Sequence, residues 1–478
     1  MRHLLRNTFL LSIFGITLFS CKGNKNLDSR DKNLETQLSS IDVQFALADS
    51  LIAKAKFDSS NIVLWEISAK SSEDSSYEDY LTALNKIAGN YVELGKFDSM
   101  KIVLNNVINS TNTNLDSVNL YSAQAYYTYG LFFVNHNIFD SAKIFLNKAL
   151  VFREQLLESN SPEIGDIYNG LGNIEFYIQN NQEALHYYKL AKDLMLNRGF
   201  YNKGVGLVYM NIGLVYDNLY QFKKARSYLD TSYQIQSRIL DKNHPVLAQI
   251  EINKMSIFAN SGELDSAIVA GVNAMEIISN RFGAKHPYNG MIYNNLGLCY
   301  SSYADNKNAL IHFEKARQLL ESINSNLFNQ LAKSYGSLGQ LNFSLENNEK
   351  AIEYYEKALN LMKSENNDNV SESSQFKKLL AVSYATIGEK QKAQNKIEEA
   401  IYDWENEKSA SEMQIEKTKI FQAQVLNLVG NYKKAVKVSK QGITYFKNTK
   451  NINYLFYSFS QLAEAYLYLN DYNKVIDI

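Results

Sequence analysis

Residues 293–316 run YNNLGLCYSSYADNKNALIHFEKA. The small residue Gly297 is followed three places on by the aromatic Tyr300, twelve on by Ala309 and nineteen on by Ala316. The same phase recurs on both sides. The equivalents of Ala309 are Ala142, Ala184, Ala225, Ala267, Ala351, Ala393 and Ala435, spaced by 42 residues with a single step of 41. A constant period of this size marks a solenoid, in which one small supersecondary unit is stacked many times.

The equivalents of Gly297 are Ala48, Ala88, Gly130, Gly172, Gly213, Met255, Gly339, Ala381, Ala423 and Ala463, of which only Met255 is neither Gly nor Ala. Three residues beyond these anchors come Tyr91, Phe133, Tyr216, Phe258, Tyr384 and Tyr466; nineteen beyond come Ala149, Ala191, Ala274, Ala358 and Ala400. Turns separate the two small positions, as in Gly95-Lys96-Phe97, Gly262-Glu263-Leu264 and Gly430-Asn431-Tyr432. Apolar residues within each half fall at helical spacing. Each unit is therefore read as two antiparallel helices whose small residues let the backbones approach, with a large ring filling the space beside the partner's alanine. The three prolines, Pro162, Pro245 and Pro287, each lie ten residues before an anchor. That is where the first helix of a unit begins, and a first-turn proline gives up no hydrogen bond. The polar stretches 109–117, 364–374 and 448–453 read as loops between units.

This constellation resembles the tetratricopeptide repeat, carried by Asn294, Gly297, Tyr300, Ala309, Phe313 and Ala316, and again by Gly213, Tyr216, Phe222 and Ala225. The long period and the pairs His244-Pro245 and His286-Pro287 are similar to the kinesin-light-chain variety. The resemblance implies an all-α, right-handed superhelical solenoid of about eleven helix-turn-helix units over residues 41–478. The first two units depart from the pattern, with Ser60 and Met100 where alanine is expected, as terminal capping units do.

Residues 1–21 differ in kind. Arg2 and Arg6 precede a short apolar run, Phe9 to Phe19, and then Ser20-Cys21. The run is shorter than the roughly 20 residues a membrane-spanning helix needs, and it fits a secretory signal peptide. Leu18-Phe19-Ser20-Cys21 resembles a bacterial lipobox, which implies lipidation at Cys21 and an exported protein anchored on the periplasmic side of a bacterial membrane. Residues 22–40 read as a flexible tether of roughly 25 Å.

The 49 basic and 50 acidic residues leave a net charge of −1, so no chain-wide field favours nucleic acid. Cys299 has no disulfide partner and reads as a small core hydrophobe. Glu398 to Glu416 carries seven acids, and Lys417 to Ala463 carries eight lysines and no acid. We expect the outer helices of neighbouring units to pair these charges, at about 0–1 kcal/mol per exposed pair; the other reading is a patch for an acidic partner. The catalytic constellations fail. Gly89 to Lys96 has the wrong glycine spacing for a phosphate loop, with Phe97 where Ser or Thr must hold magnesium. Gly204-Val205-Gly206 lacks the third glycine of a dinucleotide site. No metal motif or cofactor site is expected, and the array is read as non-catalytic.

In tetratricopeptide proteins the first helices line a concave groove that takes extended peptides or partner helices. The resemblance points inward the residues three before, and one, four and five after, each anchor. Here these include Asn85, Tyr127, Asn135, Asn169, Asn173, Phe176, Tyr177, Asp217, Asn218, Asn294, Gln340 and Phe343. Asparagine offers a donor and an acceptor, which suits a peptide backbone, and the rings add flat apolar contact. The expected function is a membrane-tethered scaffold that binds a protein or peptide. The alternatives are the regulatory half of a longer protein with a C-terminal caspase-like (CHAT) peptidase domain, and the sensor half of a signalling or transcription regulator. The eleventh unit breaks off after Val475, its alanine equivalent, so the reading frame is expected to continue.

Overall fold

The computed structural model describes residues 41–476 except 54–55, 74–75, 95, 117, 137, 324–327, 365–369, 408–410 and 450. Residues 1–21 with Cys21, read as a signal peptide, residues 22–40, read as a tether, and Gly95 lie outside the described residues. The described residues form twenty-two α-helices and no strand. The first helices of successive repeats are α1 (Ile41–Ala53), α3 (Tyr77–Glu93), α5 (Leu120–Asn135), α7 (Pro162–Tyr177), α9 (Lys203–Asn218), α11 (Pro245–Ser261), α13 (Pro287–Ser302), α15 (Phe328–Ser344), α17 (Val370–Thr386), α19 (Glu412–Leu428) and α21 (Ile452–Tyr468). The second helices are α2 (Phe57–Glu73), α4 (Phe97–Asn114), α6 (Phe139–Leu156), α8 (Asn181–Met195), α10 (Phe222–Ile239), α12 (Leu264–Phe282), α14 (Asn306–Glu321), α16 (Asn348–Ser364), α18 (Lys390–Asn406), α20 (Tyr432–Asn448) and α22 (Tyr472–Ile476). They fall into two compact units. An N-terminal unit comprises 41–263 with 272–281, and a C-terminal unit comprises 264–271 with 282–476. Each is a stack of helical hairpins.

Each hairpin closes on its small residues. The periodic alanines from Ala142 to Ala435 are fully buried. A methyl group added at Gly297 would stand 2.5 Å from the Phe313 ring, at Gly172 2.6 Å from Tyr188, and at Gly339 2.7 Å from Tyr355. In each case a ring from the second helix lies close against the backbone of the first. The aromatic that follows the anchor joins the same layer: Tyr216 stacks on Tyr228, Tyr300 on His312 and Phe133 on Phe145. At the atypical start, Ser60 is buried and its hydroxyl donates to the Ala48 carbonyl, while Met100 is fully buried. These replace the missing alanines by a hydrogen bond and by volume.

The turn between paired helices has one backbone solution. Seven residues after each anchor from Gly172 onward, φ is positive: Gln179, Tyr220, Gly262, Ala304, Glu346, Gly388, Gly430 and Asn470, at 57–89°. Only three of the eight are glycine. The others accept the left-handed conformation because the hairpin demands it, at a cost glycine does not bear. All three prolines open their helices as read from the sequence. His244 and His286 cap the helices that follow, each Nδ1 accepting the N–H of the residue two places on, Val246 and Tyr288.

The expected charge pairing takes another form. Glu399 pairs with Lys396 and Glu416 with Lys419 on its own helix, and Asp403 reaches back to Lys377. Short i,i+3 links and the preceding first helix are closer than the lysines of α20.

Two substitutions in hairpin α13–α14 should move its stability in opposite directions. Gly297→Val should cost about 1–3 kcal/mol through collision with Phe313. Ala304→Gly should add about 0.5–1 kcal/mol by removing Cβ strain at a positive φ. Hydrogen exchange over residues 287–321 reads both; an unchanged profile for Gly297→Val would refute the close contact.

Candidate functional site: an asparagine-lined cavity

A cavity of about 790 Å³ opens in the N-terminal unit, and it is walled chiefly by the first helices α3, α5, α7, α9 and α11. Seven asparagines line it: Asn85, Asn90, Asn135, Asn169, Asn173, Asn211 and Asn253. Among the described residues its lining contains no carboxylate; the charged groups are Lys86 and Lys203. Lys86 is paired with Asp49 at 2.6 Å.

The floor is a network of amides. Asn211 Nδ2 donates to Asn169 Oδ1 (2.9 Å) and Asn173 Oδ1 (3.1 Å), and Tyr188 Oη donates to Asn173 Oδ1 (2.8 Å). Tyr188 comes from the second helix α8. It reaches Asn173 only because Gly172 leaves its ring a passage, so the close contact that builds the hairpin also sets the site. Burial pushes the Tyr188 hydroxyl well above its ordinary pKa, which keeps it a donor. At one end, Asn85 Nδ2 donates to the Tyr121 carbonyl (3.2 Å), and Asn85 Oδ1 is buried without a partner. At the other, Gln249 Nε2 donates to Asn253 Oδ1 (3.1 Å), and Asn253 Nδ2 is buried without a partner. These two side chains are 8% and 6% exposed. An unmet buried polar group costs about 1–3 kcal/mol, so whatever enters the cavity, water or ligand, gains by meeting them.

The rest of the wall is apolar or neutral. Phe176 and Tyr177 contribute rings, Leu207, Met210 and Leu214 aliphatic surface. Burial pushes the Tyr177 hydroxyl up to about 12. Burial, then the nearby Lys203 and Arg281, push the His244 imidazole down to about 4 against the smaller opposing pull of Asp241. His244 is therefore neutral near pH 7 and its cap stays intact. The arrangement can bind through hydrogen bonds and flat apolar contact; the lining presents no paired nucleophile and base.

Of the residues read from the sequence, Asn85, Asn135, Asn169, Asn173, Phe176 and Tyr177 line this cavity. Tyr127 lies outside its lining, with its ring 5.0 Å from the Arg153 guanidinium. Asp217 accepts from Asn260 Nδ2 at 3.3 Å, and Asn218 Nδ2 contacts Asn181 at 3.5 Å, both away from the lining. Asn294, Gln340 and Phe343 belong to the C-terminal unit, where Phe343 packs on a core cluster and Asn294 Oδ1 is buried without a partner. Asn211, Asn253 and Tyr188 are absent from the sequence-based set. A signal for two of them exists: Asn169, Asn211 and Asn253 are spaced by 42 residues. Cys299 is buried, and burial raises its thiol to about 12, in keeping with a core role.

Models of the tetratricopeptide repeat match residues 206–246, 256–322 and 332–363. Over these spans the chain matches the tetratricopeptide repeat. Three solved structures similar to this chain share its fold. The apo form of RapI is 16% identical, with a TM-score of 0.51 over 82% of this chain and 98% of its own. The apo form of the quorum sensor NprR from B. thuringiensis is 14% identical, with 0.51 over 84% and 97%. A Rap protein complexed with competence and sporulation factor is 14% identical, with 0.50 over 82% and 99%. No curated protein sequence matches the chain.

Asp217 provides a test of burial beside this site. Burial pushes its carboxyl up to about 6 from 3.8, only partly opposed by the Asn260 amide. The folded state thus holds the proton more tightly than the unfolded one, so the ionised form is penalised above pH 6 and the penalty vanishes below 3.8. Asp217→Asn keeps an acceptor for Asn260 and should stabilise the protein at pH 7 by about 1–3 kcal/mol. Urea denaturation of both proteins across pH checks this; a gain that persists undiminished at pH 3.8 would exclude the cause given.

Proposed function

We propose that the N-terminal cavity takes an extended peptide segment of a partner protein and holds it by its backbone. Tetratricopeptide repeats bind proteins and peptides, and the Rap structure above is a complex with competence and sporulation factor. The observation that carries the reading for this chain is the pair of unmet amide groups, the Asn85 acceptor and the Asn253 donor. A peptide backbone offers both complements at every residue. A sequence-tolerant mode follows, because amides pair with amides whatever side chains are attached. The absence of carboxylates from the described lining means that acidic peptides meet no repulsion there. The finer likeness to kinesin-light-chain repeats rests on the 42-residue period, and no reaction is assigned to this segment.

A peptide library displayed on phage and selected against the whole chain tests this. Peptides recovered on the wild type should lose about tenfold or more in affinity for Asn211→Ala, which breaks the amide floor. They should lose a similar factor for Asn253→Leu, which removes the unmet donor together with the acceptor of Gln249, with urea denaturation checking that the variant stays folded. Selected peptides that bind both variants as tightly as the wild type would place recognition elsewhere.

A further inference from the structure

Among the described residues, the lysines of the C-terminal unit that are not exposed divide into those with a counter-charge and two without. Lys377 has Asp403 at 2.6 Å, Lys396 has Glu399 at 2.8 Å and Lys419 has Glu416 at 3.0 Å. Lys378 is 8% exposed, yet among the described residues no carboxylate lies within 4.0 Å of its ammonium. The same holds for half-buried Lys417. They sit on α17 and α19, consecutive first helices that pack against each other. Lys378 stands three residues before its anchor Ala381, the register that Asn85 and Asn169 occupy on the cavity of the N-terminal unit.

Each of the two amines faces an aromatic ring. Lys378 Nζ lies 4.7 Å from the Phe421 ring centre, and Lys417 Nζ lies 5.1 Å from that of Tyr454. A ring face attracts a cation but accepts none of the three N–H bonds an ammonium offers. The pair also repel each other. Burial, and after it the Lys417 charge, push Lys378 down to about 8. Two like charges in a poorly hydrated place, with Glu372 and Glu416 of the same helices paired to Lys333 and Lys419, are half of an ion pair.

We propose that Lys378 and Lys417 form an anion site for a phosphate-type dianion. A carboxylate would neutralise one of the two ammoniums and leave the other unbalanced. A dianion balances both, and its tetrahedral oxygens accept from donors approaching off two different helices. The phosphate is either free or carried as a monoester on a larger ligand. The site lies in the C-terminal unit and does not depend on peptide binding in the N-terminal cavity.

Thermal unfolding of the full chain in inorganic phosphate, phenyl phosphate and acetate, each against chloride at matched ionic strength, tests this. At about 10 mM, inorganic phosphate should raise the wild-type Tm by about 2 °C. Acetate should have no such effect. An equal shift with phenyl phosphate identifies a carried phosphoryl group as a fitting ligand; a shift with inorganic phosphate alone identifies the free ion. Lys378→Met should be at least as stable as the wild type in chloride, because it removes an unbalanced buried charge, and should lose the phosphate response. Lys417→Met gives the same reading should the first variant fail to fold. A phosphate shift retained in both variants, an acetate shift as large as that of phosphate, or no shift in the wild type would overturn the assignment.

Discussion

The structure depends on how closely two helices of a hairpin approach. At Gly172, Gly297 and Gly339 the approach is so close that a ring from one helix touches the backbone of the other and a single methyl group has no room. The period of the chain is the period of these contacts. The positive φ seven residues later is their consequence: once the helices are locked together, the turn has one conformation, and Tyr220, Ala304 and Glu346 adopt it without being glycine. Repeat proteins draw stability from such local contacts and from neighbouring interfaces rather than from one central core, so the same contact must be made again in each unit.

The contact that builds the fold also builds the site. Tyr188 passes the hydrogen-only side of Gly172 and places its hydroxyl on Asn173. That hydroxyl helps hold Asn173, which holds Asn211 and, through it, Asn169. The cavity is thus rigid at its floor and unmet at its ends, where Asn85 and Asn253 each keep one buried group unpaired. A preorganised amide surface with unmet ends spends little entropy on binding.

Much of this is legible in the sequence. The small residues gave the hairpins, the prolines gave helix starts, and the histidines before Pro245 and Pro287 stood where caps are needed. The site was only half legible, for a geometric reason. Gly172 and Gly213 are 41 residues apart, whereas the inner face repeats at 42. Counting from the glycine therefore lands on Met210, and the residue that completes the network is Asn211. One residue on a helix turns a side chain by about 100°. Further along, Asp217 and Asn218 fell at inward-facing positions by count, yet each bonds to a residue outside the cavity lining, Asn260 and Asn181. The division between paired and unpaired lysines was illegible as well, because it depends on which acid lies one helical turn away and which lies across an interface.

Residue-resolved hydrogen exchange along the whole chain tests the central claim most directly. Amides of Gly172, Gly213, Gly297 and Gly339 should exchange at least about a hundredfold more slowly than those of Gln179, Tyr220, Ala304 and Glu346. Protection should rise and fall with the spacing of the repeats. Fast exchange at the four glycines, on a par with the turns that follow them, would mean that the hairpins are not closed there and would contradict the account.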